Sequence, residues 1–168
     1  MLFRSAIIKH TDFTLEALVQ ELNACVNDSA RGEKFITFFV ARISRKSSQI
    51  EYINAGHNPP VLLHSEHVEL LDKGTTGLGM FDDLPFLYGG QASFSKGSLL
   101  FCYTDGITDM ENVHGIAFGS ENIDKLLRDH FAVASMKDLH EKMVGAFDEY
   151  RGTTAFPDDV TFLSVRFS

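Results

Sequence analysis

Two acidic motifs in this chain have the residue types and the placement for metal-assisted chemistry. The first, Tyr103-Thr104-Asp105-Gly106-Ile107-Thr108-Asp109, stands where an apolar, strand-like run stops. The second, Pro157-Asp158-Asp159-Val160-Thr161, stands where the final strand-like run starts. A strand end lets a rigid scaffold hold a side chain still while leaving it open to a ligand. Carboxylate oxygens are hard ligands suited to Mg²⁺ or Mn²⁺. If the last strand lies beside the one ending at Tyr103, the two clusters converge, and a cation would relieve their repulsion. Asp-Gly and Asp-Asp are also common loop dipeptides, so either motif alone reads more readily as a turn. Their joint placement at two strand ends brings the two readings level.

A third segment, Tyr52-Ile53-Asn54-Ala55-Gly56-His57-Asn58-Pro59-Pro60, breaks a strand through glycine, histidine and a double proline that fixes the exit direction. His57 has the chemistry of an acid, a base or a ligand, but a histidine locking a turn by hydrogen bonds is the plainer reading. His64 and His67 have ligand-like spacing. They flank an apparent hairpin tip with no third ligand nearby, so the sequence predicts a solvent-facing pair. There is no Gly-x-Ser-x-Gly elbow, no phosphate loop ending in Lys-Ser/Thr, no Cys-x-x-Cys and no His-Glu-x-x-His. Gly74, Gly77 and Gly79 have the wrong spacing for a dinucleotide fingerprint.

The elements that must carry these motifs can be read from periodicity. Thr14 is a plausible N-cap for a helix whose stripe is Leu15, Leu18, Val19, Leu22, Cys25 and Val26, with Glu16, Gln20, Glu21 and Asn23 off it. Before it, Leu2 to Ile8 reads as the tail of a helix with no capping signal. Phe35 to Ser44 and Gln49 to Ala55 form a hairpin about Arg45-Lys46-Ser47-Ser48, and Pro60 to Leu63 pairs with Val68 to Leu71. Gly74 to Asp83 is a glycine-rich loop, and Phe86 to Phe94 and Ser98 to Tyr103 are strands joined at Lys96-Gly97. Helices follow over Ser120 to Asp129 and Ser135 to Tyr150, and Val160 to Phe167 closes as a strand. Strands, then helices, then a last strand predict an α+β domain with antiparallel sheets. Phe 15, Tyr 4 and Trp 0 predict a β-rich core filled by large rings.

The 168 residues suit one domain, read here as spanning 1–168. Fifteen basic against 23 acidic residues give a net charge of −8, the wrong sign for collecting nucleic-acid phosphates. The longest apolar run, Leu99 to Tyr103, is far too short for membrane insertion. Cys25 and Cys102 imply no disulfide framework, and with no signal-peptide pattern the expected setting is the cytoplasm.

The ordered set Phe35-Ile36-Thr37-Phe38-Phe39, Asn54-Ala55-Gly56-His57-Asn58-Pro59-Pro60, Gly77-Leu78-Gly79, Tyr103-Thr104-Asp105-Gly106-Ile107-Thr108-Asp109 and Asp158-Asp159-Val160-Thr161 resembles the SpoIIE/RsbU-type bacterial serine phosphatases. These belong to the metal-dependent, type 2C-like protein phosphatases, and the resemblance runs over nearly the whole chain. It implies an αββα fold, an antiparallel β-sandwich flanked by helices. It also implies a two-ion Mn²⁺ or Mg²⁺ centre that activates water for in-line attack on phosphorus. Asp105 and Asp158 match the family's metal ligands, and the resemblance implies that they are the catalytic residues here. Gly106, Asp109 and Asp159 fall in supporting positions. Asn54, Gly56 and His57 match the motif without an assigned role. The implied substrate is a phosphoserine or phosphothreonine on a signalling protein, commonly a STAS-type anti-anti-sigma factor.

The family carries a further Gly-Asp motif and an Asp-x-x-Gly-His-Gly motif ahead of its first core helix, and Leu2 to Ile8 already matches that helix. The expectation is therefore an N-terminally incomplete domain, its first strand pair missing, with weak or no activity on its own. Exposed edges in such a chain would be covered by repacking or by homo-oligomer formation. The alternative is a catalytically degenerate phosphatase-like module that binds a regulatory partner.

Overall fold

The computed structural model describes residues 14–30, 33–132 and 135–168. The helix tail expected at Leu2 to Ile8 lies outside these residues. In chain order the elements are α1 (Leu15–Ala30), β1 (Phe38–Ser44), β2 (Gln49–Ala55), β3 (Val61–Leu63), β4 (Val68–Leu70), β5 (Gly74–Thr75), β6 (Gly90–Ser93), β7 (Leu99–Tyr103), α2 (Asp105–Thr108), α3 (Gly119–Asp129), α4 (Met136–Arg151) and β8 (Phe162–Arg166). The class is α+β, as the pattern of elements predicts. The chain divides into two compact units, one built from residues up to Pro59 and from Leu71–Phe94, the other from Pro60–Leu70 and Ser95–Ser168.

The first unit is a four-stranded sheet centred on β2 with α1 packed on it. The β1–β2 hairpin is antiparallel, Phe38 opposite Ala55 and Ser44 opposite Gln49, with the polar turn where the sequence places it. The Thr14 hydroxyl caps α1, accepting the Ala17 N–H at 3.2 Å. Leu15, Leu18, Val19 and Leu22 then meet Ile53, Ala55 and Leu78 in an aliphatic core.

Two expectations change here. The glycine-rich loop begins with β5, a two-residue strand parallel to β2, so this sheet is not wholly antiparallel. The strand expected over Phe86 to Phe94 shortens to β6 because its first residues bond elsewhere. The Thr75 hydroxyl donates to the Phe86 carbonyl at 2.6 Å, and the Tyr88 N–H donates to the Gly74 carbonyl. Backbone groups committed to a loop cannot also extend a ladder.

The second unit is a four-stranded antiparallel sheet in the order β4-β3-β7-β8. Leu99, Phe101 and Tyr103 share one face of β7 by the two-residue alternation of a strand. With Val61 and Leu63 they pack against Ile123 and Leu127 of α3 and Leu139, Met143 and Phe147 of α4. Here the expected aromatic core is found. Phe118 meets Phe147 edge-on at 5.6 Å, and Phe101 lies 5.5 Å from Phe162. Ser135 caps α4, its hydroxyl accepting the Asp138 N–H at 3.1 Å. Other phenylalanines, Phe35, Phe81 and Phe86 among them, are exposed. No described helix is long and apolar enough to cross a membrane.

Candidate functional site

The two acidic motifs meet because β7 and β8 are antiparallel neighbours, Tyr103 opposite Phe162. Asp105 follows the end of one strand and Asp158 precedes the start of the other, so they come to the same end of the sheet. Thr104 joins the two segments. Its N–H donates to the Thr161 carbonyl at 3.0 Å, continuing the ladder by one step. Its hydroxyl accepts the Thr161 N–H at 3.0 Å and donates to the Asp159 carbonyl at 2.9 Å. The chain then turns into α2, a four-residue helix that carries no sequence signal of its own.

Gly106 sits against the Asp158-Asp159 backbone, where a Cβ would fall 3.2 Å from the Asp158 carbonyl oxygen. Asp158 holds its own loop: its Oδ1 accepts the Asp159 N–H at 2.7 Å. Asp109 closes α2 through its N–H to the Asp105 carbonyl, and the Thr108 hydroxyl reaches its Oδ1 at 3.3 Å. Asp105, Asp109, Asp158 and Asp159 are all exposed, and none is in an ion pair among the described residues. Uncompensated carboxylates at one sheet end are hard oxygen donors of the kind that Mg²⁺ or Mn²⁺ takes. The donor chemistry of these carboxylates fits a divalent cation.

Beneath this end the Tyr103 side chain is buried. Burial, and secondarily the Asp124 carboxylate, raise the Tyr103 phenol above its ordinary range. Burial also raises Asp124 itself, partly offset by Arg128.

Asn54, Gly56 and His57 belong to the first unit, and their contacts there are those of a braced turn. Asn54 is buried; its Oδ1 accepts the His57 N–H at 2.8 Å, and its Nδ2 donates to the carbonyls of His57 and Leu71 at 2.9 and 3.2 Å. Gly56 has a φ of +70°, and a Cβ there would lie 2.9 Å from the Gly77 nitrogen. His57 Nδ1 is 3.3 Å from the Thr37 hydroxyl. Asn54 therefore braces the turn through its backbone, with the His57 ring bonded to Thr37 beside it.

Two placements overturn the sequence reading. Asn23, expected off the apolar stripe, is buried. Its Nδ2 donates to the Phe81 and Asp82 carbonyls at 3.0 Å, and its Oδ1 accepts the Gly79 N–H at 2.9 Å. Asn27, one turn on, also donates to Phe81 at 2.8 Å, so the Asn-x-x-x-Asn spacing was the available signal. Of His64 and His67, expected to face solvent without a third ligand, His67 is exposed as expected, but both stand with Glu69, their ligating atoms all within 4.8 Å of one another. Only 12% of the His64 side chain is exposed. The His67-x-Glu69 alternation was the available signal for the third residue, and the β3–β4 register brings His64 to them.

The sequence model for Stage II sporulation protein E (SpoIIE) matches residues 1–168. Over 160 residues the chain is 29% identical to Protein IcfG of Synechocystis sp., covering 89% of this chain and 24% of that protein. Over 153 residues it is 27% identical to phosphoserine phosphatase RsbP of Bacillus subtilis, covering 90% and 36%. It thus spans only part of each of these curated relatives. The SiaA-PP2C domain of Pseudomonas aeruginosa superposes with a TM-score of 0.84 at 23% identity, over 98% of this chain and 65% of that one. This last likeness carries the fold.

Proposed function

The chain belongs to the Stage II sporulation protein E (SpoIIE) family, and we propose on that basis that it is a metal-dependent protein serine/threonine phosphatase domain. The observation that carries the reading is the convergence of Asp105 and Asp158 at one sheet end, joined through Thr104. We assign both aspartates as metal ligands for Mn²⁺ or Mg²⁺, with Asp109, Asp159 and Gly106 holding the loops that present them. Bound cations would lower the pKa of a coordinated water and neutralise charge on the phosphoryl group. The residues of the chain fix the donors: Thr104 sets the register of the second loop, and Gly106 lets it approach. The substrate proposed is a phosphoserine or phosphothreonine on a signalling protein of the STAS type in a sigma-factor pathway, acting in the cytoplasm.

Two carboxylates hold a cation loosely, and a centre of two ions about 4 Å apart needs more of them. On these two ligands the chain alone is assigned weak activity or none. The test is Mn²⁺-dependent release of phosphate from a phosphorylated STAS-type protein by the native protein and by Asp105→Asn and Asp158→Asn. Slow turnover should fall by at least about a hundredfold in each, a scale that even an outer-shell metal partner can reach. Turnover unchanged in both variants would refute the assignment.

A second reading, a phosphatase-like module that binds its partner without turning it over, is favoured by one observation. Among the described residues, no third His, Cys, Asp or Glu joins Asp105 and Asp158 in a set of ligating atoms within 4.8 Å. A stable complex with the phosphoprotein, without phosphate release at saturating Mn²⁺, would select it.

A further inference from the structure

The hairpin of β3 and β4 gathers three metal-ligating side chains that the phosphatase reading does not use. Leu63 pairs with Val68, so His64 and His67 face each other across the two-residue loop, with the His64 N–H donating to the His67 carbonyl at 2.9 Å. His67 and Glu69 share a strand face by the two-residue alternation, and His64 joins them from the opposite strand. The imidazole rings stack, centroids 4.2 Å apart and planes within 14°.

The ring of His64 is tethered at Nδ1. Its Nδ1 lies 3.3 Å from the hydroxyl of Ser98, which is buried and also accepts the Ser95 N–H at 3.0 Å. In the tautomer that carries its proton on Nδ1, donated to Ser98, Nε2 keeps its lone pair and can ligate. That Nε2 is buried and has no hydrogen-bond partner. It is 3.9 Å from a Glu69 carboxylate oxygen, too far for a hydrogen bond. A buried acceptor facing another imidazole and a carboxylate is costly unless something positive satisfies all three.

We propose that His64 Nε2, His67 and Glu69 bind one borderline transition-metal ion, Zn²⁺ most readily, leaving a fourth position open to water. Two imidazoles and a carboxylate suit zinc, whereas hard Mg²⁺ prefers all-oxygen sets such as the aspartates at the β7–β8 end. Ligand atoms around a tetrahedral zinc are roughly 3.3 Å apart, so the present spacing must tighten. His67 is exposed and Glu69 half-buried, free to rotate onto a ring that Ser98 already holds. Among the described residues β4 is an edge strand paired with β3, and the ion would clip that edge in place.

The test is titration of tag-free protein with Co²⁺, as a chromophoric stand-in for Zn²⁺, in excess Mg²⁺ that occupies carboxylate sites. One equivalent should give a saturable visible spectrum of a four-coordinate site, displaced by Zn²⁺. His67→Ala and Glu69→Gln, both at accessible side chains, should each weaken binding by at least about tenfold, while Asp105→Asn leaves it unchanged. Zn²⁺ should also raise the Tm of the native protein but not of His67→Ala. No saturable spectrum, or one indifferent to both hairpin variants, would overturn the proposal.

Discussion

Gly106 and Asp159 touch through their backbones: a Cβ on Gly106 would lie 2.5 Å from the Asp159 carbonyl oxygen and 3.0 Å from its carbonyl carbon. No flexible side chain can yield there, because the neighbour is main chain. Gly106→Ala must therefore push the Asp158-Asp159 loop away from α2, at a cost on the order of 1–3 kcal/mol. Phosphatase activity should fall with it, since Asp158 moves with the loop. Gly145, in the middle of α4 and exposed, has nothing within 4 Å of its would-be Cβ. Gly145→Ala should stabilise by about 0.5–1 kcal/mol. Urea unfolding of the two variants separates the contact from the mere loss of a glycine.

Thr104 offers a finer probe of the same loop. Thr104→Val keeps the shape but leaves the Asp159 carbonyl without its donor and the Thr161 N–H without its acceptor. The expected loss is about 1–3 kcal/mol in stability. If Thr104 positions Asp158, the apparent Mn²⁺ affinity should fall about tenfold as well, and Thr104→Ser should restore it. A variant destabilised with unchanged Mn²⁺ dependence would reduce Thr104 to a structural residue.

Asn54→Ala should be among the most damaging single changes in the first unit. It removes a side chain that makes three hydrogen bonds at a site 4% exposed, leaving the Leu71 carbonyl and the His57 backbone without that partner. A loss of about 2–4 kcal/mol follows from stranding buried polar groups. His57→Ala, which leaves those backbone contacts in place, should cost less. Equal losses in the two variants would return the turn lock to the histidine.

What could be read from the sequence follows from what is local. The stripe and cap of α1, the β1–β2 hairpin and the Ser135 cap each rest on residues within a turn or two, and each is found. The convergence of Asp105 with Asp158 was conditional on one long-range pairing, β7 with β8, and that pairing is present. The failures are where satisfaction comes from far along the chain. Asn23 looks misplaced on a buried helix until the loop at Gly79–Asp82 arrives to bond it. β5 is two residues long, too short for periodicity, and exists because Asn54 and Ala55 accept it as a partner. His64 joins His67 and Glu69 only through the β3–β4 register, although Glu69 itself follows His67 at the two-residue step of a strand. The roles of Asp105 and Asp158 as ligands remain with the family resemblance and the variants proposed above.

Cys102 gives the chain a defined alkaline limit. It sits on β7 opposite Leu163, and burial pushes its thiol from 9.0 up to about 11. Above pH 9 the unfolded chain gives up this proton while the folded chain keeps it, so deprotonation favours unfolding. The stabilising contribution is complete below pH 9, declines between 9 and about 11, and is gone above that range. Tyr103, shifted upward as well, adds to the same decline. The Tm of the native protein should therefore drop more steeply from pH 9 to 11 than that of Cys102→Ala, whose packing loss is constant with pH. At pH 8 iodoacetamide should alkylate Cys102 slowly in the folded protein and readily in urea, because the thiolate is the nucleophile. Parallel Tm curves for the two proteins across this range would show that the thiol ionises as freely folded as unfolded.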